Sequence, residues 1–215
     1  MGRQIAIFGN GELGAAAALA YDADLVIRFN DCRSAGETAD RTDIVAVCNT
    51  GRPAKILGDD QAWRSSPAMR AASALWCVRN PERFAEMRAP LAESHPELDD
   101  FCDDYTETFR EIAADNGKQF HVIPRSVHDR LDEAFAGLTD VPYASPSTGI
   151  LVIEEVIANH LVDGDRILLA GFFHEGWDGH PWDAERKYIQ PFEAKGLIER
   201  AYATNPDERV SGARG

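Results

Sequence analysis

The sequence predicts an α/β fold: one three-layer α/β/α domain of Rossmann-like kind, built around a mostly parallel sheet. Two observations carry this. Short apolar runs that read as buried strands alternate with stretches of helical hydrophobic spacing. The first of those runs ends in Gly9-Asn10-Gly11-Glu12-Leu13-Gly14, a G-x-G-x-x-G turn of the kind that joins a strand to a helix. The 215 residues, 44% hydrophobic and 27% charged, suffice to bury one core. We therefore expect a single nucleotide-sugar-binding domain over 1–204 and a polar, flexible tail over 205–215.

Arg3 to Phe8 reads as the first strand, and Ala-rich Glu12 to Ala20 as a helix after the glycine turn. Asp24 to Phe29, Asp43 to Cys48 and Ala74 to Val78 are apolar enough for further buried strands. Pro81 suits the first position of a helix to about Ala92. Leu98, Phe101, Tyr105, Phe109 and Ile112 have helical spacing from Glu97 to Asn116, where Asn116-Gly117 supplies a left-handed stop. Gln119 to Ile123 is a strand, and Val127, Leu131, Ala134, Phe135 and Leu138 mark one face of a helix. Ser147 caps an apolar helix predicted to run through Val162. Arg166 to Ala170 is a strand, Gly171 to Trp182 a loop, and Asp183 to Lys195 a closing helix.

Charge narrows the partners. With 22 Lys and Arg against 36 Asp and Glu, the net charge is −14, which disfavours nucleic acid and anionic membrane surfaces. A small anion held by backbone amides at a helix start remains compatible with such a chain. No run of about 18 uncharged apolar residues occurs, so no transmembrane segment is expected, and no leader pattern precedes the first strand. A cytoplasmic location follows as the expectation. Cys32, Cys48, Cys77 and Cys102 lack paired spacing and read as reduced packing thiols.

Three places carry candidate chemistry. The turn Gly9-Asn10-Gly11 could face a phosphate; Asp31 lies near the position where a carboxylate would hold a ribose, with Asn30 at the strand end where that carboxylate usually sits. Alternatively the glycines serve only a tight turn. Pro146-Ser147-Thr148-Gly149 offers hydroxyls and amides at a helix start, or else Ser147 is only a cap. The loop after Ala170 gathers His174, Glu175, Asp178, His180, Asp183 and Glu185. Of these, His180 reads as a general base with Glu185 orienting its imidazole, a solvated acidic loop being the alternative. No metal-binding helix pattern is present, so no metal is expected. Phe172, Trp177 and Trp182 are either core or a stacking wall for a base, and His95, His121, His128 and His160 read as structural or surface residues.

Taken in order, GNG at Gly9 to Gly11, RFN at Arg28 to Asn30, Arg41-Thr42, PSTG at Pro146 to Gly149, Gly171-Phe172 and H-x-x-x-x-E from His180 to Glu185 resemble the sialyltransferases of glycosyltransferase family 29. The resemblance covers both ends of the chain and leaves about Thr50 to Tyr143 unmatched. It implies an inverting, metal-independent glycosyltransferase with no cofactor. A sugar acid, sialic acid or Kdo, would pass from a CMP-sugar donor to a hydroxyl of a glycan or small-molecule acceptor. It further implies that Gly9, Asn10, Gly11, Asn30, Ser147, Thr148, Gly149 and Phe172 hold the nucleotide and that His180 is the catalytic base. His174 is the only candidate for the family's third motif, and no cysteine follows Cys102 to form its disulfide. Two other readings stay open: an NAD(P)-binding protein using Gly9, Gly11 and Gly14, and a non-catalytic nucleotide-binding accessory protein.

Overall fold

The computed structural model describes residues 2–173 and 176–202. The expected tail over 205–215 and the candidate His174 lie outside the described residues. In chain order the elements are β1 (Gln4–Phe8), a 3-10 helix (Gly14–Tyr21), β2 (Leu25–Phe29), β3 (Ile44–Val47), α1 (Gly51–Asp59), α2 (Gln61–Arg64), α3 (Pro67–Ala71) and β4 (Ala74–Cys77). There follow α4 (Phe84–Ser94), α5 (Thr106–Asp115), β5 (Gln119–Val122), α6 (Arg125–Ala136), α7 (Thr148–Glu155), a π-helical turn (Val156–His160), β6 (Arg166–Ala170), α8 (Trp182–Ala194) and β7 (Ile198–Ala201).

Among the described residues seven strands form one sheet in the order β5-β4-β3-β2-β1-β6-β7. Every neighbouring pair is parallel. Side chains alternate across it as the strand period of two requires. Ile5, Ile7, Ile27, Phe29, Ile44, Trp76, Ile167 and Leu169 pack with α6, α7 and α8 on one face. Val45, Val47, Leu75 and Cys77 meet α1, α3 and α5 on the other, where Ala6, Phe8, Val26 and Leu168 meet the 3-10 helix. The α/β class and its three layers follow from this double burial.

Several local expectations are corrected by tertiary contacts. The Ala-rich segment is a 3-10 helix that starts only at Gly14, with no side chain capping its first turn. Leu98, Phe101 and Tyr105 do not join a helix with Phe109. Instead Tyr105 N–H donates to Asn49 O (2.9 Å), Gly51 N–H donates to Asp103 O (3.0 Å), and Thr50 and Asp104 form an antiparallel bridge. Asp104 Oδ1 then accepts from Thr106 N–H at 2.8 Å, so α5 begins there. The helix capped by Ser147 is α-helical only to Glu155 and continues as the π turn. α1, α2, α3 and β7 had no reading in the sequence; β7 is an edge strand, Ile-Glu-Arg-Ala, with only Ile198 buried.

Candidate functional site: a cleft at the switch point of the sheet

Strand order runs outward from β1 to β5 and then restarts beside β1 with β6, so the topology switches between β1 and β6. In open parallel sheets the loops beyond the carboxyl ends diverge at this point and leave a crevice. Here it is a cavity of about 440 Å³, lined by Gly9 to Gly11, Phe29, Asn30, Ser147 to Gly149, Gly171 to Phe173, His180 and Trp182. The eight residues that the resemblance nominates for the nucleotide all line it, whereas Asp31 and Gly14, considered for a dinucleotide, do not. A second cavity of about 570 Å³ continues past Asn30, Thr148 and His180 to Cys48, Arg79, Phe101 and Trp177.

The glycine turn is shaped by packing. A Cβ on Gly9 would lie 2.3 Å from Gly171 O, and one on Gly11 would lie 2.2 Å from the Phe173 ring. These two glycines admit the loop after β6. Asn10 Nδ2 donates to Phe29 O (3.2 Å) and to Asp31 Oδ1 (3.1 Å), leaving its buried Oδ1 without a partner among the described residues. Arg33 Nε also donates to Asp31 Oδ1, at 3.1 Å, so the carboxylate considered for a ribose is already engaged. Asn30, at φ 49°, closes the β2 end: its Oδ1 accepts from Cys48 N–H (2.9 Å) and its carbonyl accepts from Trp63 Nε1 (2.9 Å). Asparagine tolerates that left-handed backbone better than most residues.

At the start of α7 the sequence reading needs correction. Glu185 does not orient His180. Its carboxylate, 1% exposed, accepts from Ser147 N–H at Oε1 and from Ser147 Oγ–H at Oε2, both at 2.7 Å, while Ser147 Oγ caps Ile150 N–H at 3.2 Å. The protein's own carboxyl therefore occupies part of the anion cradle beneath this helix. Burial pushes the Glu185 carboxyl up to about 7, against the Ser147 hydrogen bonds and Arg79, which lower it. His180 is oriented by backbone: Nδ1 bonds Ser145 O at 2.7 Å. A carbonyl only accepts, so the proton sits on Nδ1 and Nε2 keeps its lone pair.

Burial, then the Arg79 charge, hold the His180 imidazolium down to about 4, and the rings of Trp177 and Trp182 stand edge-on to it at 4.8 and 5.0 Å. A histidine held low contributes stability that is fully present above its unfolded value of 6.5 and is lost as pH falls through about 4. An NMR titration should find the His180 ring neutral throughout the range from 7 down to 5; a midpoint near 6.5 would contradict this environment.

Arg79 was missed. It lies two residues past the end of β4, is 4% exposed, donates through Nη1 to Ser145 Oγ, and stacks over Phe101 with 5.8 Å to the ring centroid. Among the described residues its Nε, which is buried, has no hydrogen-bond partner. The available signal was a cation near a strand's carboxyl end, where open parallel sheets gather their ligands. The four cysteines are free thiols; Cys48 lines the second cavity, and burial pushes Cys32 up to about 12.

No family model matches the chain. Among solved structures it superposes on a mammalian sialyltransferase with a TM-score of 0.50 and 16% identity, over 93% of this chain and 68% of that one. It also aligns with the sialyltransferase CstII from Campylobacter jejuni, solved in complex with a substrate analogue, cytidine-5′-monophosphate, with a TM-score of 0.49, 13% identity, and 95% and 80% coverage. The molecule is thus an α/β protein of sialyltransferase-like fold with a cleft at the switch point. Along its sequence it is 47% identical over 213 residues to the urease operon 23 kDa accessory protein of Rhizobium meliloti (strain 1021), covering 99% of each chain. The chain belongs to the family of that accessory protein.

This membership overturns the expectation of a glycosyltransferase moving a sugar acid from a CMP-sugar with His180 as base. The full-length relative carries the name of an accessory protein, and a likeness at 16% identity reaches the fold and not the reaction. No helix among the described residues is long and apolar enough to cross a membrane.

Proposed function

We propose that this protein is a urease-operon accessory protein whose switch-point cleft binds a nucleotide without transferring any group from it. The observation that carries the accessory role is the 47% identity to the Rhizobium meliloti protein along its whole length. Such a role calls for protein partners in place of a sugar donor and acceptor.

The cleft supplies the ligand half of the proposal. Phe29, Phe172, Phe173 and Trp182 offer faces or edges to a base. Asn30 and the Thr148 and Gly149 amides at the start of α7 suit a phosphate. No cationic side chain is among the described residues lining this cleft, and Glu185 lies bonded beneath it. A departing phosphate would find little charge stabilisation there, which favours holding over transfer.

Thermal unfolding with EDTA present tests the ligand, using CMP, UMP, AMP, NAD and NADP. A nucleotide at 100 times its dissociation constant stabilises by about 2.7 kcal/mol, and Thr148→Trp should abolish the shift. No shift with any of the five would overturn the ligand half. Deleting the gene in cells that carry the operon should lower urease activity, and unchanged activity would overturn the accessory role. Turnover of CMP-sialic acid that disappears in His180→Ala would overturn the non-catalytic reading.

A further inference from the structure

His121 and His160 were expected to be isolated structural or surface histidines. The structure corrects this by bringing both to one carboxylate, on the edge of the sheet at β5. His121 Nε2 lies 2.9 Å and His160 Nε2 3.0 Å from the same oxygen, Glu155 Oε1. One potential ligand atom from each of the three residues falls within 4.8 Å of the others.

The backbone is specialised to achieve this. On a regular α-helix, residues five apart point about 140° away from each other. Here the helix widens after Glu155 into the π turn, closed by Leu161 N–H to Val156 O at 3.0 Å, and the wider turn brings His160 back over Glu155. Turns of this kind are rare and occur often at functional sites. Asn159 Nδ2 donates to Glu155 Oε2 at 2.7 Å, which fixes the carboxylate so that its other oxygen faces the histidines. The Trp76 ring backs both imidazoles, at 4.9 Å from His160 and 5.1 Å from His121. The carboxylate is 1% exposed and each histidine side chain 36%, so the cluster is anchored on one side and open to solvent on the other.

We propose that His121, Glu155 and His160 bind one divalent transition-metal ion, in a site separate from the switch-point cleft and independent of its ligand. Two imidazoles and a carboxylate suit Zn²⁺, Ni²⁺ or Co²⁺ and not Mg²⁺ or Ca²⁺, which prefer oxygen ligands. Binding requires both Nε2 lone pairs; each ring proton moves to Nδ1, which bonds no described residue. Three protein ligands leave a coordination position for water or for a donor group from another molecule. Asn159 acts as the positioning residue, in the manner of the outer partners that orient metal ligands.

The test uses the full chain without an affinity tag, stripped with EDTA, dialysed, and titrated calorimetrically at neutral pH with ZnCl₂, NiCl₂ and MgCl₂. One Zn²⁺ or Ni²⁺ per chain, with no heat from Mg²⁺, is the expected result. Asn159→Ala should weaken binding about 10- to 100-fold, and His121→Ala or His160→Ala should weaken it more. Co²⁺ should give visible absorption bands that vanish in His160→Ala. Glu155→Gln, close in shape and able to keep hydrogen bonds, decides the matter if a histidine variant fails to fold. Absence of Zn²⁺ and Ni²⁺ binding to the wild-type chain would overturn the proposal. So would stoichiometric binding that survives both His160→Ala and Glu155→Gln.

Discussion

Replacing Glu185 by alanine should cost about 3 to 5 kcal/mol of stability and lower the unfolding midpoint by roughly 10 °C, measured on the acid side of neutrality. The side chain is 1% exposed and receives both the N–H and the Oγ–H of Ser147, so truncation strands two buried donors at the start of α7 and leaves a cavity beside them. Glu185→Gln separates the charge from the contacts. The amide can accept from Ser147 N–H through its oxygen and donate to Ser147 Oγ, so most of the packing survives.

What the glutamine variant should lose is pH dependence. Burial raises the Glu185 carboxyl from 4.5 to about 7. An acid raised in this way contributes stability that is fully present below 4.5 and is lost as pH rises through about 7. The whole contribution is about 3 kcal/mol. The wild-type midpoint should therefore fall between mildly acidic and mildly alkaline pH, and Glu185→Gln should flatten that fall. A glutamine variant with the wild-type slope, or an alanine variant losing under about 1 kcal/mol, would contradict the role assigned to this carboxyl.

Gly9→Ala should destabilise the protein by about 2 to 3 kcal/mol even with no ligand present. The new Cβ would sit 2.3 Å from Gly171 O and 2.9 Å from Gly171 C, both backbone atoms. Neither partner can step aside easily, because Gly9 N–H is bonded to Ala170 O at 2.8 Å and β1 and β6 are paired along their length. Chemical denaturation of the ligand-free variant checks this. If Gly9→Ala kept full stability and lost only nucleotide affinity, the glycine would exist for the ligand, and the packing account of the turn would be wrong.

These two residues mark the division between local and distant information. The glycine spacing was readable, but whether it admits a phosphate or the Gly171–Phe173 loop depends on a segment some 160 positions away. Likewise Ser147 was readable as a cap, while Glu185 as its second partner was not; the spacing from His180 suggested a different pairing. The run from Leu98 to Ile112 had helical periodicity, yet residues 103–105 bond to 49–51 and the helix begins only at Thr106. Periodicity is a preference of neighbours, and a few long-range hydrogen bonds outweigh it.

By itself the sequence determined the α/β class, the strands from Gln4–Phe8 to Arg166–Ala170, the cap at Ser147 and the grouping of candidate residues at one end of the sheet. Those follow from strand-length apolar runs, capping chemistry and the rule that parallel strands deliver their following loops to one edge. Only the tertiary structure decided which carboxylate meets which donor: Glu185 with Ser147, and Glu155 with His121 and His160. The physical reason is that hydrogen bonds and ligand sets act over about 3 Å, a distance that chain separations of 34 and 38 residues leave open until the sheet and its helices have packed.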